Sequence, residues 1–239
     1  MYDRGDTAYL YKGMHRDYER SRSKDCEDKY IELISKIVNE KYVPDEIMPK
    51  WLNQYRVDFN LKYRDLYIDS VGYVVVTKAW VEPLANWMKI NTNSRDVNCL
   101  ELFAGTGYLS YVLSLYDINC IAVDNLSLQN AIKPNWRNSY YTIEAIENEE
   151  AIAKYIKDMN FCIMGWPTYA TSEAADDLKL IRKHNPNCWI IYIGEGYGGC
   201  TADDEFHDIL EDHSDELPKE INDNYHTWYS LHDKIYLIK

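Results

Sequence analysis

From residue 97 onward the chain alternates short apolar runs with longer amphipathic ones. That alternation restricts the fold more than any other feature. VNCLELF, NCIAVD, YYTIEA, FCIM and CWIIYIGE read as buried strands. Between or after them, YLSYVLSLY, NEEAIAKYIKDM, SEAADDLKLIRKH and ADDEFHDILEDH repeat their apolar residues at helical spacing. Strands too apolar to leave one face wet, each followed by a helix, call for a parallel sheet covered on both sides. The final stretch, HTWYSLHDKIYLIK, reads as a hairpin of two strands. The expectation is an α/β fold: a doubly wound, mostly parallel seven-stranded sheet with a C-terminal antiparallel hairpin.

The preceding part is helical in texture. Residues 28–42 space Ile31, Leu33, Ile34, Ile37 and Val38 along one helical face. Residues 45–66 read as an aromatic-rich helix or helix pair carrying Trp51, Tyr55, Phe59 and Tyr63. YVVV at 73–76 is short and apolar, and Thr77 then caps a helix, KAWVEPLANWMK. The expected division is a helical N-terminal extension over 1–75 and a ligand-binding α/β domain over 76–239.

Charge narrows the partners. The 239 residues carry 39 acidic and 26 basic side chains, a formal net charge of −13. Residues 201–220 hold nine acids against Lys219 alone. Phosphate backbones are bound through Lys and Arg, so no autonomous nucleic-acid binding is expected. The acidic run reads as a solvated helix face, with a basic protein partner as the sharper alternative. Within it Asp203, His207 and Glu211 fall four apart, but a solvated helix outweighs a metal site, and no metal is expected. The six cysteines form no CxxC pair. With neither a signal peptide nor an 18-residue apolar run, the expectation is a cytoplasmic chain with reduced thiols and no membrane contact.

The first strand runs into Glu101-Leu102-Phe103-Ala104-Gly105-Thr106-Gly107, and the second ends in Asp124, nineteen residues beyond Gly105. Glycines at a helix entry let backbone approach a ligand, and a carboxylate at the second strand's end can accept both hydroxyls of a ribose. A dinucleotide site wants GxGxxG, but Ser110 holds the third glycine slot. Glu101 also repels a pyrophosphate while attracting an amino acid's ammonium group. Glu101 and Asp124 together therefore favour S-adenosylmethionine over NAD.

These residues resemble a known family. ELFAGTGYLS is similar to the first motif of the class I S-adenosylmethionine-dependent methyltransferases, IAVDN to their second-strand acid and FCIMGWPTY to their fourth-strand motif, over roughly residues 73–239. The resemblance implies that Glu101 holds the methionine amino group, Gly105 and Gly107 pass beneath the methionine moiety, and Asp124 takes the ribose hydroxyls. It places Asn125 near the adenine, with Glu144 contacting the adenine amino group and Glu147 its competitor. Thr77 would reach the cofactor carboxylate as well as cap its helix.

The fourth-strand loop departs from the family pattern. Where relatives place Asn, Asp or Ser to hold an amino group, this chain has Trp166, followed by Pro167, Thr168 and Tyr169. Indole has one N–H donor and no acceptor, so Trp166 is expected to act as a wall for a planar or cationic acceptor. After the fifth strand, Gly194-Glu195-Gly196-Tyr197-Gly198-Gly199 places Glu195 as a base or anchor and Tyr197 as a lid. The expected function is methyl transfer to a small-molecule or protein acceptor in a pocket walled by Trp166, Tyr169 and Tyr197. Two alternatives stand beside it: a nucleic-acid amino-methyltransferase working with a basic partner, and a scaffold subunit that kept the fold and lost the chemistry.

Overall fold

The structure is a computed structural model that describes residues 24, 26–47, 57–92, 96–127, 139–228 and 230–238. Helix α1 spans 26–40, followed by α2 (Val57–Ser70) and α3 (Lys78–Ile90). Then come β1 (Val97–Leu102), α4 (Tyr108–Ser114), β2 (Ile118–Val123), β3 (Ile143–Glu144), α5 (Asn148–Tyr155) and β4 (Phe161–Gly165). The chain continues with α6 (Glu173–His184), β5 (Trp189–Gly194), α7 (Asp204–His213), β6 (Ser214–Asp215), α8 (Lys219–Asn224) and β7 (Lys234–Ile238).

The seven strands form one sheet in the order β3-β2-β1-β4-β5-β7-β6. β7 is antiparallel to both neighbours, and every other pair is parallel. The expected architecture is the observed one. The hairpin's members differ from the sequence reading: β7 pairs with Ser214–Asp215, and α8 lies between them, while residues 226–228, 230 and 231 stay out of the sheet. β5 takes β7 along five residues, from Ile190↔Ile238 to Gly194↔Lys234, so the longer pairing belongs to the interior strand.

Period two along each strand sorts the core onto two faces. Cys99, Phe161, Ile163, Ile191, Ile193, Ile235 and Leu237 face a cluster that also contains residues of α1–α4 and α8. Leu100, Leu102, Cys162, Met164, Ile190, Tyr192 and Ile238 face the second cluster, under α5, α6 and α7. The result is a sheet sandwiched between helices.

The first of these clusters joins the N-terminal helices to the sheet domain. Tyr30, Ile34 and Ile37 of α1 and Tyr63 and Tyr67 of α2 are buried in the same cluster as Trp80, Leu84 and Val112. On α1 the buried stripe is Tyr30–Ile34–Ile37, whereas Ile31, expected inside, is 47% exposed. Each such side chain withdrawn from water contributes about 1.5–3 kcal/mol. Trp51 and Tyr55 of the expected aromatic helix lie outside the described residues. Tyr67 also accepts a hydrogen bond from the Val76 amide at 3.0 Å, so α2 fixes the segment over 71–76 that enters α3. Thr77 stands at the N-cap position of α3, yet its buried hydroxyl makes no capping bond and has no partner among the described residues.

Candidate active site

Strand order reverses between β1 and β4, and open α/β sheets bind ligands in the crevice at such a point. A cleft of about 370 Å³ lies there, built from the ends of β1, β2 and β4, the entries of α5 and α6, and the loop over 71–74. Glu101, Gly105, Asp124, Asn125, Glu147 and Trp166 all line it.

Glu101 is 3% exposed at the carboxyl end of β1. One oxygen, Oε2, accepts the Ser110 amide at 3.0 Å and the Ser110 hydroxyl. Ser110 thus does the work of the missing third glycine in another way: it docks the start of α4 onto the strand-end acid. The other oxygen, Oε1, has no partner among the described residues. Burial pushes the Glu101 carboxyl up to about 7 against the Ser110 hydrogen bonds, and Asp124 nearby raises it further.

Asp124 ties the two strand ends together. Its Oδ2 accepts the Gly105 amide at 2.8 Å and its Oδ1 the Leu126 amide at 2.7 Å. Burial raises its pKa, and these two amides oppose the rise. Each oxygen keeps a lone pair for a further donor. Asn125 is exposed at the rim, where its amide donates to Glu147 at 3.0 Å.

The two glycines differ in use. Gly105 lines the cleft at a φ of 56°. Gly107 faces away from it, as the N-cap of α4 with φ 71°, and a Cβ there would lie 3.1 Å from the Cβ of Tyr141. Its role is to let β3's approach pack against the turn.

Trp166 is the only residue of the expected acceptor wall that the structure brings to the cleft. It has a φ of 51°, rare for a bulky side chain, and its amide donates to Ile193 at 2.8 Å, continuing the β4–β5 pairing. Its indole stacks on Tyr73, with centroids 5.6 Å apart and planes 22° from parallel, and both rings line the cleft. The indole N–H is buried and has no hydrogen-bond partner among the described residues. Burial raises the pKa values of nearby Tyr225 and Asp233, and the indole N–H offsets a little of that rise.

Five other expected residues lie elsewhere. Tyr169 is 63% exposed and is not among the residues that line the cleft. Tyr197 is 58% exposed, and its ring tilts against His207. Glu195 is buried, and its carboxylate is occupied by the Cys200 amide at 2.9 Å, the Cys200 thiol at 3.0 Å and the His232 amide at 2.8 Å. Burial alone would raise its pKa, but these donors hold it below the ordinary value. Glu195 therefore shapes its loop, and Gly199 is glycine because a Cβ would come 2.3 Å from that of Glu195. Glu144 faces outward, bonded to Lys154 at 2.5 Å and to the Tyr155 hydroxyl, whereas its competitor Glu147 lines the cleft. Thr77 lines a separate hollow with Tyr42 and His226.

Sequence reasoning missed Tyr73, Asn148 and Asp177. Asp177 is 6% exposed, lines the cleft and accepts the Asn148 amide at 2.8 Å on Oδ2; its Oδ1 has no partner among the described residues. Burial, reinforced by Glu173, Asp176 and Glu149, pushes its carboxyl up to about 7. A signal existed: Ala174, Leu178 and Ile181 form the buried stripe of α6, and Asp177 falls on that same face.

No protein-family model matches this sequence, and no curated protein matches it. Several solved structures are similar. One is an S-adenosylmethionine-dependent methyltransferase from Agrobacterium tumefaciens, 14% identical over 50% of this chain and 44% of that chain, with a TM-score of 0.37. This chain thus spans less than half of that protein's length. Another is TehB from Haemophilus influenzae, 12% identical over 74% of this chain and 66% of that chain, TM-score 0.43. A third is the magnesium protoporphyrin IX methyltransferase of Synechocystis with S-adenosylhomocysteine bound, 13% identical over 75% and 99% of the two chains, TM-score 0.43. At these scores the likenesses add nothing about this chain's substrate. The parallel sheet and the glycine turn at the end of β1 stand where the sequence placed them.

Proposed function

We propose that this protein is an S-adenosylmethionine-dependent methyltransferase. The observation that carries the reading is the pair of carboxylates, Glu101 and Asp124, at the ends of neighbouring strands on one cleft, separated by the glycine turn. Glu101 keeps an oxygen without a partner among the described residues, which suits an ammonium donor, and Asp124 keeps acceptor capacity for two hydroxyls. Asn125 and Glu147 stand at the rim on the side expected for the base. The described residues that line the cleft include no Lys, Arg or His, which disfavours a pyrophosphate-bearing cofactor.

When bound, the cofactor supplies an electrophilic methyl group on a sulfonium sulfur. The chain's own work is then to position and to exclude water. Asp124 anchors one end and Glu101 the other, while the Tyr73–Trp166 stack walls the space beside the Gly165 turn. Calorimetric titration with S-adenosylmethionine and S-adenosylhomocysteine tests the reading. Micromolar binding is expected, weakened at least about 30-fold in Asp124→Ala, as the loss of a charged double acceptor implies. Failure of both compounds to bind would sink it.

A further inference from the structure

The cleft carries more negative charge than its proposed cofactor can balance. Seven carboxylates line it: Glu101, Asp124, Glu147, Glu149, Glu173, Asp176 and Asp177. S-adenosylmethionine carries one net positive charge, and Glu101 and Asp124 suffice for its ammonium and ribose. Asp176 has a cationic neighbour outside the lining, Lys179 at 3.7 Å, and Glu147 is engaged by Asn125. Glu149, Glu173 and Asp177 have no ion-pair partner among the described residues.

Two of the seven acids are also buried, and both hold an oxygen in reserve. Glu101 and Asp177 are each more than nine-tenths buried, both line the cleft, and each has one oxygen that no described residue engages. The Glu101 oxygen serves the cofactor's ammonium, which leaves that of Asp177 for a further donor. Keeping a carboxyl buried and half-satisfied costs stability unless something else occupies the site. Asp177 is held in place by Asn148, so its orientation is fixed before any ligand arrives. The stacked rings of Tyr73 and Trp166 add a surface of the kind that attracts a cation.

We propose that the methyl acceptor is an amine that enters this cleft as a cation, carried against the Tyr73–Trp166 stack and balanced by the carboxylates at the start of α6, Asp177 above all. The proposal rests on the methyltransferase reading and gives its acceptor a chemical class. An acceptor arriving as an ammonium ion gives up one proton, to water or to an ionised carboxylate of the wall. Its lone pair then forms the new N–C bond while the C–S bonding pair leaves with sulfur. Acceptors bearing phosphate or carboxylate next to the reacting atom are disfavoured by the same charges.

Binding of simple amines decides the matter, whatever the natural substrate. With S-adenosylhomocysteine saturating and at mildly alkaline pH, two cations are titrated by calorimetry: benzylammonium for a small amine and N-acetyl-lysine amide for a protein side chain. Benzyl alcohol and N-acetyl-norleucine amide are their uncharged counterparts. The tighter cation names the source and is expected to exceed its counterpart by about tenfold. Equal binding of a cation and its counterpart, or no cation binding at all, overturns the proposal. The double variant Glu173→Gln, Asp177→Asn should lower the ratio by at least about threefold, and an unchanged ratio overturns the assignment to α6. If that variant does not fold, the wild-type ratio still decides. Should S-adenosylhomocysteine itself fail to bind, the titrations are run without it. Loss of cofactor binding then counts against the methyltransferase reading, and loss of cation preference against this one.

Discussion

At the scale of single residues, the site depends on backbone conformations and on side chains that satisfy one another. Gly107 is the clearest case. Its φ of 71° strains any L side chain, and a Cβ would sit only 3.1 Å from that of Tyr141, so the neighbour would have to shift. Gly107→Ala should therefore destabilise the fold by roughly 1–2 kcal/mol or more through backbone strain alone, measured as a lowered midpoint in urea. Were the midpoint unchanged, the turn would have to be drawn differently. The carboxylates divide along the same lines: Glu195 has three donors and organises its loop, whereas Glu101 and Asp177 line the cleft and each keep an oxygen that no described residue engages. A buried acid with spare acceptor capacity is the better functional candidate, and spare capacity cannot be read from residue type.

At the scale of elements, the loop that follows α2 and the first turns of α6 line the cleft from opposite sides of the sheet. Tyr67 on α2 is fully buried, and its hydroxyl takes the Val76 amide next to the segment that carries Tyr73. Tyr67→Phe leaves that amide without an acceptor, at a cost of about 1–3 kcal/mol. Denaturant unfolding should register the loss, and hydrogen exchange at the Val76 amide should speed up even under native conditions. Unaltered exchange would show that another acceptor serves this amide. The element-level pattern was readable in most places, because strands and helices here follow periods of two and 3.6. It misled at the C-terminus: HTWYSL has strand-like composition, but Asn222 in α8 exchanges hydrogen bonds with the Ile235 backbone, and that tie places α8 at the start of β7.

At the scale of the whole molecule, acidity and burial act together on stability. Glu101 and Asp177 have folded pKa values near 7, above their ordinary 4.5 and 3.8. The folded state therefore binds more protons than the unfolded chain between those limits. Their contribution to stability is fully present below about pH 4 and is lost as pH rises through about 7. The net charge of −13 adds self-repulsion in the same direction. The ligand-free protein should accordingly melt several degrees lower at about pH 8 than at about pH 5.5. In Glu101→Gln and Asp177→Asn the drop should shrink; a profile that rises with pH would contradict the burial of these groups. Among the described residues, no helix is long and apolar enough to cross a membrane.

The parallel part of the sheet, its strand directions and the position of the glycine turn were legible in the sequence. These follow from local periodicity and from where a carboxylate or a glycine falls at a strand's end. The same local logic found Glu101, Asp124, Asn125 and Trp166, since each sits at the end of its strand and the ends share one crevice. Which remaining polar groups meet there depends on how distant segments pack. Tyr73 comes from the loop between α2 and α3 and Asp177 from the middle of the buried stripe of α6. Glu195, at a strand's end like the others, turned instead into its own glycine loop. Such choices are made by packing between segments far apart in the chain, where a few available donors fix the direction of each carboxylate.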